Sequence, residues 1–140
     1  MFTLKVLGAR ELAEKLNRIA SGTKPALEEA MKKGVLYVHS QVPPYPPPPA
    51  GSTYRRTATL GRTVTSMQGS SPEALSRVES LGGRVVGIVG TALEYAPFVI
   101  DENRQAKQHR GRWYTLQGVV EKAQDGIKRI FEEAIRNLIK

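Results

Sequence analysis

The chain contains no cysteine, so no disulfide framework, thiol nucleophile or thiolate metal site can be built from it. Synthesis and folding in a compartment that does not use disulfides, such as a cytoplasm, are expected. It also lacks any apolar run approaching the ~18 residues a membrane helix needs. The N-terminal MFTLKVLGARELAEKL shows neither a secretory apolar core nor a small-residue cleavage site, and a soluble, untargeted chain with no membrane partner is expected. Carboxylates, finally, are missing from Ala30 through Pro72. Lys32, Lys33, Arg55, Arg56 and Arg62 give that stretch +5 of the net +8, while the rest carries 16 basic against 13 acidic residues. A solvated helix face mixes both signs, so an acid-free stretch points to a surface that meets another subunit or a phosphate backbone.

What is present fits one domain over residues 1–140, with ordinary hydrophobic content (40%) and charge (24%). Phe2, Leu4 and Val6 alternate with Thr3 and Lys5, the period of a half-buried strand. From Ala9, the positions Leu12, Leu16 and Ile19 follow helical spacing, and this first helix should end near Ser21 and Gly22. Thr23 can cap a second helix with Pro25 in its first turn and a stripe of Leu27, Met31, Val35, Val38 and Val42. Pro43 and Pro44 stop it. The run PPYPPPP from Pro43 to Pro49 predicts a polyproline spacer reaching on the order of 20 Å from the body, at about 3.1 Å per residue, before Gly51 releases it.

Thr63, Val64, Thr65 and Met67 are strand formers, and Leu75–Leu81 with Arg84–Val89 flank the two-residue turn Gly82-Gly83, so a meander of three antiparallel strands is predicted there. Leu93 to Ile100 reads as a short helix or a bend, and Asp101 to Arg112 as a loop with Trp113 anchoring its far end. The last segment is the strongest helix: Leu116, Val120, Ala123, Ile127, Ile130, Phe131, Ala134, Ile135 and Leu138 hold one face, and Thr115 is its natural cap. Gly126 within it marks either a close approach of a neighbour or a tolerated weak point. The elements add up to an α+β fold: an antiparallel sheet of about four strands against two N-terminal helices and a long C-terminal helix, with residues 43–62 an extended, proline-rich basic arm.

No catalytic, metal or cofactor constellation stands out. His39 and His109 lack a paired histidine or a carboxylate cluster and read as ordinary polar positions. There is no GxSxG elbow, and Gly87 and Gly90 in VVGIVGT lack a following GK[ST], so they read as small strand residues rather than a phosphate loop. The proline run reads as an arm rather than a ligand for a proline-recognition domain. Arg55, Arg56 and Arg62, with Arg110 and Arg112 beside Trp113 and Tyr114, are the candidate contacts to DNA or to an acidic partner, a mix that single-strand binders use. Arginine, tyrosine and tryptophan are equally the residues enriched at protein interfaces, and that reading is preferred.

Two blocks carry a resemblance that spans nearly the whole chain. Tyr54, Arg55, Arg56, Thr57, Thr59, Leu60, Gly61 and Arg62 form one; Gly90, Thr91, Tyr95, Ala96, Pro97 and Val99 form the other. With the proline-ended helix, the glycine-turn hairpin and the terminal helix, they make the chain resemble the gene-product-ten-like family of head-tail neck and tail-completion proteins of long-tailed phages and prophages. The chain departs from that pattern after Val99, where IDENRQAKQHRGRWYT follows, and before the basic block, where the proline run replaces a short connection.

The resemblance implies a structural subunit, not an enzyme and without cofactor, made in a bacterial host and placed in the virion at the head-tail junction. It implies a homo-oligomeric ring, commonly of six, between the capsid connector or stopper and the tail-terminator or tail-tube proteins, with DNA passing through. On that reading the interface residues are Pro43, Pro44, Tyr45, Pro46, Pro47, Pro48, Pro49, Tyr54, Arg55, Arg56, Thr57, Thr59, Leu60, Arg62, Tyr95, Ala96 and Pro97, the proline arm clamping a neighbour. The competing reading from the charge alone is a small basic nucleic-acid-binding module.

Overall fold

The computed structural model describes residues 2–6, 23–47, 51 and 59–139, and for residues 2–6, 81 and 139 the backbone alone. The fold is α+β. In chain order the elements are β1 (Phe2–Val6), α1 (Thr23–Gln41), α2 (Thr59–Val64), β2 (Arg77–Leu81), β3 (Arg84–Thr91), α3 (Ala96–Ile100), a 3₁₀ turn (Lys107–His109) and α4 (Leu116–Ile139). The helix expected over residues 9–22 lies outside the described residues.

β3 is the centre of a three-stranded antiparallel sheet ordered β1-β3-β2, with Phe2 opposite Thr91 on one side and Arg77 opposite Ile88 on the other. Its residues Val85 to Thr91 are all buried. The hairpin from β2 to β3 turns at Gly82 and Gly83, whose φ values of +47° and +81° are the paired positive angles of a type I′ turn. β1 supplies the third strand, pairing along β3 from Val6 opposite Gly87 to Phe2 opposite Thr91.

The strand expected at residues 63–67 is instead the end of α2 and the turn after it, which leaves three strands among the described residues rather than about four. Two features outweigh the β-propensity of this stretch. Leu60 and Val64 are buried one helical turn apart, and the hydroxyls fold back onto the helix: Thr63 Oγ1 donates to the Leu60 carbonyl, Thr65 Oγ1 to that of Gly61 and Ser66 Oγ to that of Arg62. Met67 keeps one isolated bridge to Ser76.

α1 joins the sheet to α4. Leu27, Met31, Val35 and Val38 are fully buried on its stripe, each contributing about 1.5–3 kcal/mol of gross burial energy, and Val42 follows half-buried before Pro43 ends the run. Gly87 lets α1 settle on β3: a Cβ there would lie 2.7 Å from Met31 Sδ and 2.8 Å from Val35 Cγ2. On the α4 side, Gly126 gives room to the ring of Tyr37, so the glycine marks a close approach, made by an aromatic side chain rather than a backbone.

α4 begins as a capped helix, with Thr115 Oγ1 accepting from the Gly118 amide at 3.1 Å. Leu116, Val120, Ala123, Ile127 and Phe131 are buried along it, whereas Leu138 is 39% exposed. No helix of the described residues is long and apolar enough to cross a membrane.

Candidate interface around Tyr45 and Trp113

The prolines after α1 do not lead away from the body. Tyr45 turns inward, its ring 5.1 Å from that of Trp113 and tilted 53° to it. Its hydroxyl accepts a 2.8 Å hydrogen bond from the Gly61 amide, one of the first-turn N–H groups of α2 that has no partner within the helix. Gly61 eases that approach, since a Cβ would lie 3.1 Å from the Tyr45 Cε1 and the ring would have to give by a few tenths of an ångström. Two residues on, the Pro47 carbonyl accepts from Arg112 Nη2 at 2.7 Å.

Residues 43–47 are therefore a strap laid on the molecule, not a spacer reaching 20 Å outward. An aromatic plug in the run gains from burial, and the Pro47 carbonyl gains a charged donor, so docking wins over extension. Residues 59–64 are helical, so the extended arm expected over 43–62 does not run to its predicted end.

Trp113 organises the other side of the contact. His109 meets it edge-on at 6.1 Å and Tyr114 packs at 6.3 Å. Burial, and to a smaller extent Tyr45, push the Tyr114 hydroxyl well above the usual tyrosine range, so it stays neutral. Burial and then the charge of Arg112 hold His109 below its ordinary pKa.

The loop that presents this cluster is fixed from beneath by Asp101 and Gln105. Asp101, 5% exposed, accepts from the Asn103 amide, Gln117 Nε2 and Arg104 Nε. Burial pushes its carboxyl up, but these hydrogen bonds and the Arg104 charge outweigh it and hold the pKa below the ordinary value. Buried Gln105 donates to the carbonyls of Val99 and Trp113.

The residues singled out in the sequence separate into distinct groups. Pro43, Pro44 and Pro47 are exposed, Tyr45 and Pro46 half-buried, and Arg62, Arg110 and Arg112 exposed, with Arg112 bonded to the strap. Pro48, Pro49, Tyr54, Arg55, Arg56 and Thr57 lie outside the described residues. Thr59 is half-buried at the start of α2. Leu60, Ala96 and Pro97, expected at an interface, are buried in the chain's own core, because α2 and α3 both seat their apolar side inward. Tyr95 is 46% exposed.

Three residues outside the interface expected from the sequence are prominent. Gly61 and Trp113 form the seat for Tyr45, and nothing local in the sequence signals a contact across that separation. Phe98 is 55% exposed, one helical turn from Tyr95 on the five-residue α3; its spacing from buried Ala96, Pro97 and Ile100 was readable once the segment was helical. His39 is a structural residue, its Nε2 2.9 Å from Ser76 Oγ, with burial lowering its pKa. Among the described residues no group of His, Asp or Glu is placed to hold a metal ion. Comparisons with protein families, curated proteins and solved structures find no match to this chain.

Proposed function

We propose that this chain is a structural subunit of a phage head-tail junction: a non-enzymatic neck or tail-completion protein that assembles with copies of itself into a ring, commonly of six, and acts in the virion. The observation that carries the reading is the state of the YAPFV block, one of the two on which the resemblance rests. Ala96, Pro97 and Ile100 fix α3 to the core, while Tyr95 and Phe98 stand 46% and 55% exposed beside one another. Large aromatics held rigidly in solvent are what an interface uses as anchors.

A ring needs two different patches on each subunit, since its contacts are head-to-tail. Leu36 on α1, 47% exposed, offers a second apolar position on another element. The strap then acts differently from a free clamp. Docked by Tyr45, it is a stiff ledge that a neighbour or the connector meets without ordering it first, which spares the entropy a flexible arm would lose.

Light scattering after size exclusion, run over a concentration series, tests the self-association. The expected mass is a multiple of 15.4 kDa, and Phe98→Glu shifts it to the monomer while helix content by circular dichroism is unchanged. A chain that remains at 15.4 kDa at every concentration, and in the presence of its particles, contradicts the reading.

A further inference from the structure

The two longest segments of this chain without a carboxylate are residues 30–72 and residues 103–120. They are far apart in sequence, and the fold brings them together. Tyr45 packs on Trp113, Arg112 donates to the Pro47 carbonyl, and the Gly61 amide donates to the Tyr45 hydroxyl. Arg62, next to Gly61 in the chain, and Lys107, Arg110 and Arg112, on the segment that carries Trp113, are all exposed.

None of these four makes an ion pair among the described residues; those found are Arg77 with Glu79 and Arg104 with Asp101. Where the guanidinium groups on this face are held, a neutral carbonyl holds them: Arg110 Nε on Gln105 at 3.3 Å and Arg112 Nη2 on Pro47 at 2.7 Å. A carbonyl orients a guanidinium without cancelling its charge, and most of its five N–H donors stay available. The turn itself is pinned by hydrogen bonds from the amides of His109, Arg110 and Arg112 to the carbonyls of Ala106, Lys107 and His109, around Gly111 at φ +76°. The outer face of α4 is the contrast. There Lys122, Lys128, Arg129 and Arg136 alternate with Glu121, Asp125, Glu132 and Glu133, an ordinary solvated surface.

We infer that the converged acid-free face binds the phosphate backbone of double-stranded nucleic acid, without reading its sequence. A protein partner presents both signs of charge, and a complementary face would carry both; a face of cations alone matches a partner of anions alone. Base stacking is not its mode, because Trp113 is half-buried with Tyr45, His109 and Tyr114 packed around it, whereas single-strand binding needs open ring faces. The inference does not depend on the ring.

Fluorescence anisotropy with a labelled duplex of arbitrary sequence, titrated at increasing NaCl, tests it. Four phosphate contacts give a log-log salt slope of about −3.6. Arg62→Gln/Arg110→Gln reduces its magnitude by about 1.8. So does Lys107→Gln/Arg110→Gln, which leaves α2 and the Arg112–Pro47 bond intact and decides the matter if the first pair misfolds. Lys128→Gln/Arg129→Gln on α4 leaves the slope as it is. A flat salt response, equal losses from the α4 pair, or slopes untouched by both face variants overturns the inference. Tighter binding of a single strand than of the duplex, or of polyglutamate at equal charge, overturns it too, assigning the face to base stacking or to an acidic protein.

Discussion

Replacing Tyr45 by phenylalanine removes one hydrogen bond, to the Gly61 amide, and keeps the ring on Trp113. The expected loss is about 1 kcal/mol. Tyr45→Ala removes the ring as well and should cost about 2 kcal/mol, roughly half the value for a fully buried aromatic, since Tyr45 is half-buried. Trp113 is the chain's single tryptophan, so its emission reports on the strap directly: a red shift in Tyr45→Ala and little change in Tyr45→Phe are expected. An unshifted alanine variant would place the strap off the body.

Asp101 gives a pH-dependent prediction. Its folded pKa is depressed below the ordinary 3.8, so its stabilisation is fully present above that value and disappears as pH falls through the folded pKa. Asp101→Asn should cost about 1–3 kcal/mol at neutral pH. As pH falls through that lowered folded pKa and the wild-type carboxyl protonates, the gap between the two proteins should narrow. Denaturant midpoints measured against pH for both check the sign.

At the scale of elements, two glycines in similar company call for opposite outcomes. A Cβ on Gly34, inside α1, would lie 3.7 Å from Ile127 Cγ2, an ordinary contact. Gly34→Ala should therefore stabilise by up to about 1 kcal/mol through helix propensity. On β3, Gly87→Ala drives a methyl to 2.7 Å from Met31 Sδ and 2.8 Å from stiff, fully buried Val35. It should cost about 1–3 kcal/mol, and thermal midpoints moving in the same direction for both would break the packing account of α1.

These elements also show how far the sequence could be read. α1 and α4 were legible because Leu27, Met31, Val35 and Val38, and Leu116 through Phe131, repeat at the helical period with cap and stop residues in place. The hairpin was legible because Gly82-Gly83 fits only a tight turn. α2 was not: Thr63, Val64 and Thr65 favour a strand by branching, and their hydroxyl bonds to the preceding turn exist only once the helix does. The proline run disclosed its stiffness and not its direction, because what turns it inward is a contact between Tyr45 and residues 16 and 68 positions away in the chain.

For the whole molecule, charge and apolar exposure divide the surface between two tasks. Net positive charge collects where the two acid-free segments meet, and Tyr95 and Phe98 stand out from α3. The two proposals give protein contact to the aromatics and phosphate contact to the cations. The proline strap, first read as an outstretched clamp, becomes the piece that brings the cations together.

The central claim, that the chain joins heads to tails, is tested most directly by electron microscopy of particles made in host cells from which its gene is deleted, with and without a plasmid copy. The account predicts filled heads and free tails that fail to join, rescued by the wild-type copy and not by Phe98→Glu. Intact, tailed particles in the deletion would contradict it.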